Sequence, residues 1–234
     1  MIRPKHPMPH PLWQSLARDA GTELSANQLG QLDRYLDLLI EWNEKINLTR
    51  IVNREDAEVK HVADALTLLK FLPKPRGEGG GRRDENRSSL IPHRSPLSLA
   101  DVGTGGGVPG VPLAICRPDI KVTLIDSTKK KLDTIAKIVS EIGLANVQTL
   151  HSRIEQAKVT FDVITARAVA DLDTLIGWCQ PLMRPTTVLL AMKGPKAAEE
   201  LAAANHRLQR MKRNARIEPI TVPELSGHCV VRVG

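Results

Sequence analysis

The stretch Leu99–Ile115, LADVGTGGGVPGVPLAI, decides how the rest of the chain is read. An apolar, β-favouring run ends at Asp101, and glycines follow at positions 103, 105, 106 and 107. Glycine at the end of a strand permits a tight turn and lets a ligand approach the backbone directly. Pro109 and Pro112 come next and are expected in the first turn of a helix. The N–H groups of that turn have no intrahelical acceptor, so proline costs little there. Strand, bare loop and helix in that order open an α/β sheet, which takes its ligand beyond the carboxyl ends of its strands.

Toward the C-terminus the pattern alternates. Strands are expected over 98–103, 121–126, 146–151, 161–167 and 186–192, and helices over 108–116, 129–142, 171–183 and 195–212. Strands alternating with helices imply parallel pairing through right-handed crossovers. The tail, RIEPITVPELSGHCVVRVG, holds two more strand runs around a short turn with no helix between them, so a final hairpin with one antiparallel strand is expected. Toward the N-terminus, Leu29, Leu32, Leu36, Leu39 and Ile40 repeat at helical spacing, which predicts a helix over 25–46 with Ser25 as its N-cap. A second helix fits 55–70, with Val62, Leu66 and Leu69 on one face, and a short one fits 11–19. Proline, glycine, serine and charge dominate 73–96, which reads as a flexible linker or surface loop; its Arg76, Arg82, Arg83 and Arg87 are either solvated or in contact with phosphates. The chain thus divides into an N-terminal helical subdomain (1–72), a linker or loop insertion (73–96) and an α/β domain (97–234).

Composition bounds the function. The 234 residues are 41% hydrophobic and 25% charged, an ordinary globular mixture for one or two domains. The net charge of +7 suits an anionic partner, of which nucleic acid is the commonest, or a set of solvated lysines and arginines. Aromatic residues make up only 3%, which argues against a base-stacking platform. Cys116, Cys179 and Cys229 are odd in number and widely spaced, so neither a disulfide framework nor a metal site is expected, and a reducing cytoplasm fits. The start, MIRPKHPMPHPLW, lacks the apolar region of a signal peptide, and no apolar run approaches the ~20 residues that span a bilayer.

Two ligand classes suit the glycine loop. Gly105-x-Gly107-x-x-Gly110 matches the dinucleotide fingerprint, with Asp126 ending the second strand where an acid binds ribose hydroxyls. S-adenosylmethionine is bound by a similar loop and acid, and spacing alone does not separate the two. The surroundings follow the sequential order of a class I methyltransferase. After the third strand, TLHSRIEQ places Ile154 beside an adenine, with Glu155 either at its polar edge or acting as a helix N-terminal acid. The fourth strand ends in DVITARAVADL, and Arg167 emerges from it into the cleft or into a surface salt bridge.

Taken with WNEKINLTRI (42–51), VKHVADALTLL (59–69), TLIDSTKKKL (123–132), SRIEQ (152–156), ITARAVADL (164–172) and MKG (192–194), the chain resembles the bacterial small-subunit rRNA guanine-N7 methyltransferases, the glucose-inhibited division protein B family. The resemblance covers nearly all of the chain outside 73–96. It implies a class I S-adenosylmethionine-dependent α/β fold: a Rossmann-like, mostly parallel seven-stranded sheet with one antiparallel strand, plus an N-terminal helical subdomain. It implies methylation of N7 of one guanine in the 530 loop of 16S rRNA, within the 30S subunit or its precursor, by a cytoplasmic monomer. It also implies that Gly103, Gly105, Val108, Ile154, Glu155 and Arg167 contact the methyl donor and that Asp126 holds its ribose. Asn43, Asn47, His61 and Asp64 match marks of the helical unit and read first as packing and capping residues. Lys193 is expected near the cleft, against rRNA phosphate or in solvent. The chain departs from the family pattern at Gly106 (commonly proline), Val108 (commonly larger), Ala166 (commonly serine) and Gly227-His228 (commonly Arg-His), and 73–96 is longer than usual.

Guanine N7 carries an exposed lone pair, so its attack on a sulfonium methyl needs no prior deprotonation. Proximity and in-line alignment suffice, and they can supply roughly 7–11 kcal/mol at best. Neither an Asn-Pro-Pro-Tyr-like motif nor a Pro-Cys follows the fourth strand, and Cys116 reads as a small buried hydrophobe. Arg167 is then a positioning group and not a base. The carboxyl ends of the strands carry Arg153, Arg167 and Lys193, and of these Arg167 and Lys193 are expected to serve chemistry. Arg207, Arg210, Lys212, Arg213 and Arg216 are expected to attract phosphate nonspecifically. A nicotinamide-dependent oxidoreductase and a non-catalytic basic RNA-binding protein are the competing readings.

Overall fold

A computed structural model describes residues 11–74 and 96–234. Its centre is a seven-stranded sheet in the order β3-β2-β1-β4-β5-β7-β6. The strands are β1 (Leu97–Val102), β2 (Ile120–Asp126), β3 (Val147–His151), β4 (Phe161–Arg167), β5 (Met183–Lys193), β6 (Ala215–Pro219) and β7 (Cys229–Val233). β1 to β5 pair in parallel, and β7 lies antiparallel between β5 and β6. The winding reverses between β1 and β4, so the crevice of this fold opens at their carboxyl ends.

The strands alternate between two buried faces. Leu99, Val122, Leu124 and Val163 join one core, while Ala100, Ile125, Ile164 and Ala191 join the other. Burial on both faces explains why these strands read as near-continuous apolar runs. The first core lies under α1 (Pro11–Asp19), α2 (Ala26–Asn43), α5 (Gly110–Cys116) and α6 (Lys129–Glu141). The second lies under α7 (Leu172–Cys179) and α8 (Ala197–Met211). Between α2 and β1 stand α3 (Arg54–Ala57), a π-helical turn (Glu58–Ala63) and α4 (Asp64–Leu66).

The N-terminal helices have no separate core. Leu32, Leu36 and Leu39 of α2 sit in one cluster with Leu113 of α5, Ile135 of α6 and Leu124 of β2. Ser25 caps α2 in a capping box with Gln28, as its sequence suggests. The same Gln28 amide donates to the Ile115 carbonyl at 2.8 Å, docking the start of α2 on the end of α5. The expected boundary at 73–96 is therefore not a boundary of the hydrophobic interior, although most of that segment, its arginines included, lies outside the described residues.

Five expectations need correction. The helix over 55–70 is interrupted by the π turn. The helix over 171–183 ends as α-helix at Cys179, because Pro181 follows in a 3-10 turn and β5 begins at Met183. β5 starts before its expected residue 186, and its register with β4 shifts between Phe161 and Val163, beside Pro185. The β6–β7 connection spans residues 220–228 and contains a 3-10 turn, so it is no tight turn. Pro109 stands just before α5 as its N-cap, and only Pro112 is inside its first turn.

Candidate active site

A cleft of about 1450 Å³ opens over the carboxyl ends of β1, β4 and β5, with residues 40–52 and the π turn as its other wall. Gly103, Gly105, Val108, Arg167 and Lys193 all line it. Asp126, Ile154 and Glu155 do not; they lie beside it, at the carboxyl ends of β2 and β3.

The glycine loop is held by side chains on three sides. Gly103, Gly105 and Gly107 take positive φ (64°, 53° and 89°), which an L side chain rarely adopts. Asp126, 8% exposed, accepts from Gly105 N–H at 3.0 Å through Oδ2 and from Thr128 N–H at 2.8 Å through Oδ1. A carboxylate has about four lone-pair sites, so Asp126 keeps acceptor capacity beyond these two bonds. Asp101, fully buried, accepts from Thr104 Oγ1 (2.5 Å), Gly110 N–H (3.0 Å) and Thr165 Oγ1 (3.2 Å), tying loop, α5 and β4 together. Burial pushes its carboxyl up to about 6 against the pull of those donors. Tyr35 of α2 donates to the Gly106 carbonyl at 2.7 Å. Sequence reasoning missed Asp101 and Tyr35. An acid closing an apolar strand just before the glycines was the available signal for the first, and nothing local marks the second.

Arg167 ends β4, and the helical unit receives it. Its Nη1 donates to the Lys60 carbonyl and lies 3.5 Å from Asp64 Oδ2, and its Nη2 meets His61 Nδ1 at 2.9 Å. Asp64 is 2% exposed and its other oxygen is 3.2 Å from His228 Nδ1. Of the competing readings for Arg167, neither is complete: it is ion-paired, yet the pair faces the cleft and not the surface. His61 and Asp64 are buried, as packing residues would be, but what they pack is Arg167. Asn43 fits its capping reading, because its Oδ1 accepts from Leu48 N–H (2.8 Å) and Thr49 N–H (2.9 Å) and folds the following loop back. That loop brings the Leu48 carbonyl within 3.5 Å of where side chains on Gly105 and Gly106 would begin.

Lys193 is neither solvated nor free for phosphate. Its side chain is 9% exposed, and its ammonium meets Glu200 Oε2 and the Ala170 carbonyl, each at 2.6 Å. Glu200 also accepts from Leu172 N–H at 2.8 Å, so the pair fixes the turn between β4 and α7. Within that turn Ala168 takes φ 54°, a strained conformation for a residue with a Cβ. The arginines expected to attract phosphate are mostly engaged elsewhere. Arg207 pairs with Asp173, Arg216 with Glu218, and Arg213 donates to the Thr187 and Arg184 carbonyls near the start of β5, away from the cleft. Arg153 and Arg210 are exposed. All three cysteines are buried, and burial pushes Cys116 and Cys179 up to about 12, which makes them poor nucleophiles.

The model of the rRNA small subunit methyltransferase G family (GidB) matches residues 28–81 and 87–224. The chain belongs to that family. It is 39% identical over 185 residues to ribosomal RNA small subunit methyltransferase G of Desulfitobacterium hafniense, covering 76% of this chain and 68% of that protein. It is 35% identical over 199 residues to the same-named protein of Geobacillus kaustophilus, covering 82% and 76%. A solved ribosomal protein L11 methylase from Lactobacillus delbrueckii superposes with a TM-score of 0.48 at 15% identity, covering 61% of this chain and 72% of that one. Membership of the methyltransferase G family sets aside the nicotinamide reading of the glycine spacing. No helix among the described residues is long and apolar enough to cross a membrane.

Proposed function

We propose that this protein transfers a methyl group from S-adenosylmethionine to N7 of a guanine in the 530 loop of 16S rRNA, acting as a cytoplasmic monomer on the 30S subunit or its precursor. The observation that carries the reading is the division of the sheet's carboxyl edge. At one end stand Asp126, Ile154 and Glu155, in the middle the bare glycine loop, and at the other a cleft that receives Arg167. That sequence of polar acid, apolar surface, backbone and cation suits a donor with ribose, adenine, amino-acid and sulfonium parts. The residues present fit the group. Asp126 keeps acceptor capacity for ribose, Ile154 is an apolar residue just after β3 with 8% of its surface exposed, and Gly103 and Gly105 leave backbone accessible to the cleft.

When bound, S-adenosylmethionine supplies an electrophilic methyl on its sulfur. The chain's own residues bind and orient. Among the described cleft residues, His61 is buried beside a guanidinium and Lys193 is paired, so neither is placed to take a proton. N7 of guanine has no proton to remove, so the reaction asks no titratable group of the cleft, His228 and Asp171 included, to act as a base. Arg167 positions donor or base, and Lys193 acts through the turn it holds. The basic surplus of the chain favours its approach to RNA.

The test is transfer of a labelled methyl from S-adenosylmethionine to 30S particles prepared from a strain lacking the modification, with the site mapped by cleavage at N7-methylguanosine. A single modified guanine in the 530 loop is expected. Methylation elsewhere in 16S rRNA, or only in protein, overturns the assignment.

A further inference from the structure

Arg167 grows from the sheet, but every partner the structure gives it belongs to the helical unit. The guanidinium cannot accept a hydrogen bond, so the 2.9 Å contact with His61 calls for a lone pair on Nδ1; the same nitrogen lies 3.3 Å from the Lys60 carbonyl, but that longer approach yields to the guanidinium, and the imidazole proton is placed on Nε2. Nε2 faces Thr49 Oγ1 at 2.9 Å, and Thr49 N–H is in turn held by Asn43 Oδ1 at 2.9 Å. A chain of contacts therefore runs from the end of α2 through Thr49 and His61 to the end of β4. Protonation would set N–H against N–H at the Arg167 contact. Burial, helped by the Arg167 charge, pushes the imidazole down to about 3, so it remains an acceptor under all working conditions.

The π turn completes the socket. In an α-helix the Asp64 N–H would bind the Lys60 carbonyl. Here it bonds to the Val59 and His61 carbonyls, and the Lys60 carbonyl accepts from Arg167. Local π geometry is frequent at functional sites. Three acceptors of one turn, the Lys60 carbonyl, His61 Nδ1 and Asp64 Oδ2, thus converge on the same guanidinium. Two of its five N–H groups, on Nε and Nη2, are left without a partner among the described residues, and the side chain is 21% exposed on the cleft.

We propose that His61 is the positioning residue for Arg167: its Nδ1 fixes the rotation of the guanidinium, so that the helical unit, not the strand, aims the two open donors at the reacting ligands. The activity side of this inference rests on the methyl-transfer reading; the tautomer side does not. A mis-aimed guanidinium affects alignment more than affinity, so the loss appears in kcat.

Two measurements test it. Ring nitrogen spectra of histidine-labelled protein, with His61 assigned by its loss in His61→Asn, should show one neutral Nε2–H tautomer from pH 8 to pH 5. A proton on Nδ1, or a titration near the ordinary histidine value, overturns the proposal. In methyl transfer to 30S particles, His61→Leu removes the acceptor and should lower kcat ~100-fold, as misalignment by about an ångström does. The KM for 30S should move by less than ~3-fold. His61→Asn restores an acceptor near the Nδ1 position and should stay within ~10-fold of the wild-type kcat. Equal losses in the two variants, or a loss carried by KM, overturn the proposal. If His61→Leu does not fold, the His61→Asn kinetics and the spectra decide alone. Wild-type protein that methylates no 30S particle defeats the functional reading instead, and the tautomer still judges this one.

Discussion

The ends of β4 and β5 are neighbours in the sheet, each closes on a basic residue, and the two residues have opposite fates. Arg167 leans across the cleft to the helical unit and keeps donors open toward it. Lys193 turns to its own side, where Glu200 and the Ala170 carbonyl enclose its ammonium. Position at the carboxyl end of a strand brings a cation to the cleft; the partners that await it decide whether it stays available. A guanidinium can meet three acceptors and still present unused N–H groups, whereas an ammonium with two tight partners is nearly satisfied.

Substitutions can break this comparison or sharpen it. The largest effect belongs to Arg167→Lys, which keeps the charge but cannot span the Lys60 carbonyl, His61 and Asp64 together. Methyl transfer should fall by ~100-fold or more while the protein remains folded. Near-normal kcat would mean that charge alone matters at this strand end and that the contrast with Lys193 is empty. Asp126→Ala extends the comparison to β2. Losing charged hydrogen bonds worth about 1.5–3 kcal/mol should weaken S-adenosylmethionine roughly ten- to hundredfold by calorimetry. Because Gly105 and Thr128 lose an acceptor too, a lower melting temperature should accompany it.

Lys193→Met should act mainly on stability. It leaves a half-buried Glu200 carboxylate with only Leu172 N–H from its former set, at a cost of about 1–3 kcal/mol in chemical unfolding, with kcat far less affected than in Arg167→Lys. A kcat collapse without destabilisation would restore Lys193 to the chemistry. A smaller and pH-dependent difference separates wild type from His61→Asn. Histidine takes its proton near 6.5 in the unfolded chain and near 3 in the folded one. The stability due to neutral His61 is therefore fully present above pH 6.5 and is lost as pH falls toward 3. The stability gap between wild type and variant should narrow over that window by at most about 1.4 kcal/mol per pH unit. A gap that widens on acidification would reverse the sign of the argument. Ala168→Gly is the mildest. It relieves a left-handed residue between the two strand ends, offset by the greater freedom of glycine when unfolded, for a net gain of about 0.5 kcal/mol.

The inner strands β1, β2, β4 and β5 were legible because the sheet is buried on both faces there, so each contains an apolar run, and α6 and α8 show as amphipathic helices. Legibility failed where one residue answers to a distant one. Nothing in EVKHVA announces a π turn, since the sequence suits an α-helix and only the need to present the Lys60 carbonyl and His61 to Arg167 separates the two. Pro181 and Pro185 did carry local information, and they account for the early end of α7 and the shifted register of β5. Of the candidate site, the glycine loop, Asp126 and Arg167 were readable as positions. The enclosure of Lys193 depends on Glu200 in α8 and the hold on the loop depends on Tyr35 in α2; neither pairing leaves a trace in spacing.

Tyr35 is the only tyrosine in the chain, and its hydroxyl rests on the Gly106 carbonyl beneath the glycine loop. Burial drives its ionisation far above the ordinary phenol range, so it stays a donor throughout the accessible pH scale. The fold thereby contains a spectroscopic probe already installed at the glycine loop of the candidate site. Biosynthetic fluorotyrosine would give one fluorine resonance, sensitive to the reach of a single hydrogen bond. Any movement of the loop would read as a displacement of that line, with no cysteine, dye or second label added to the protein.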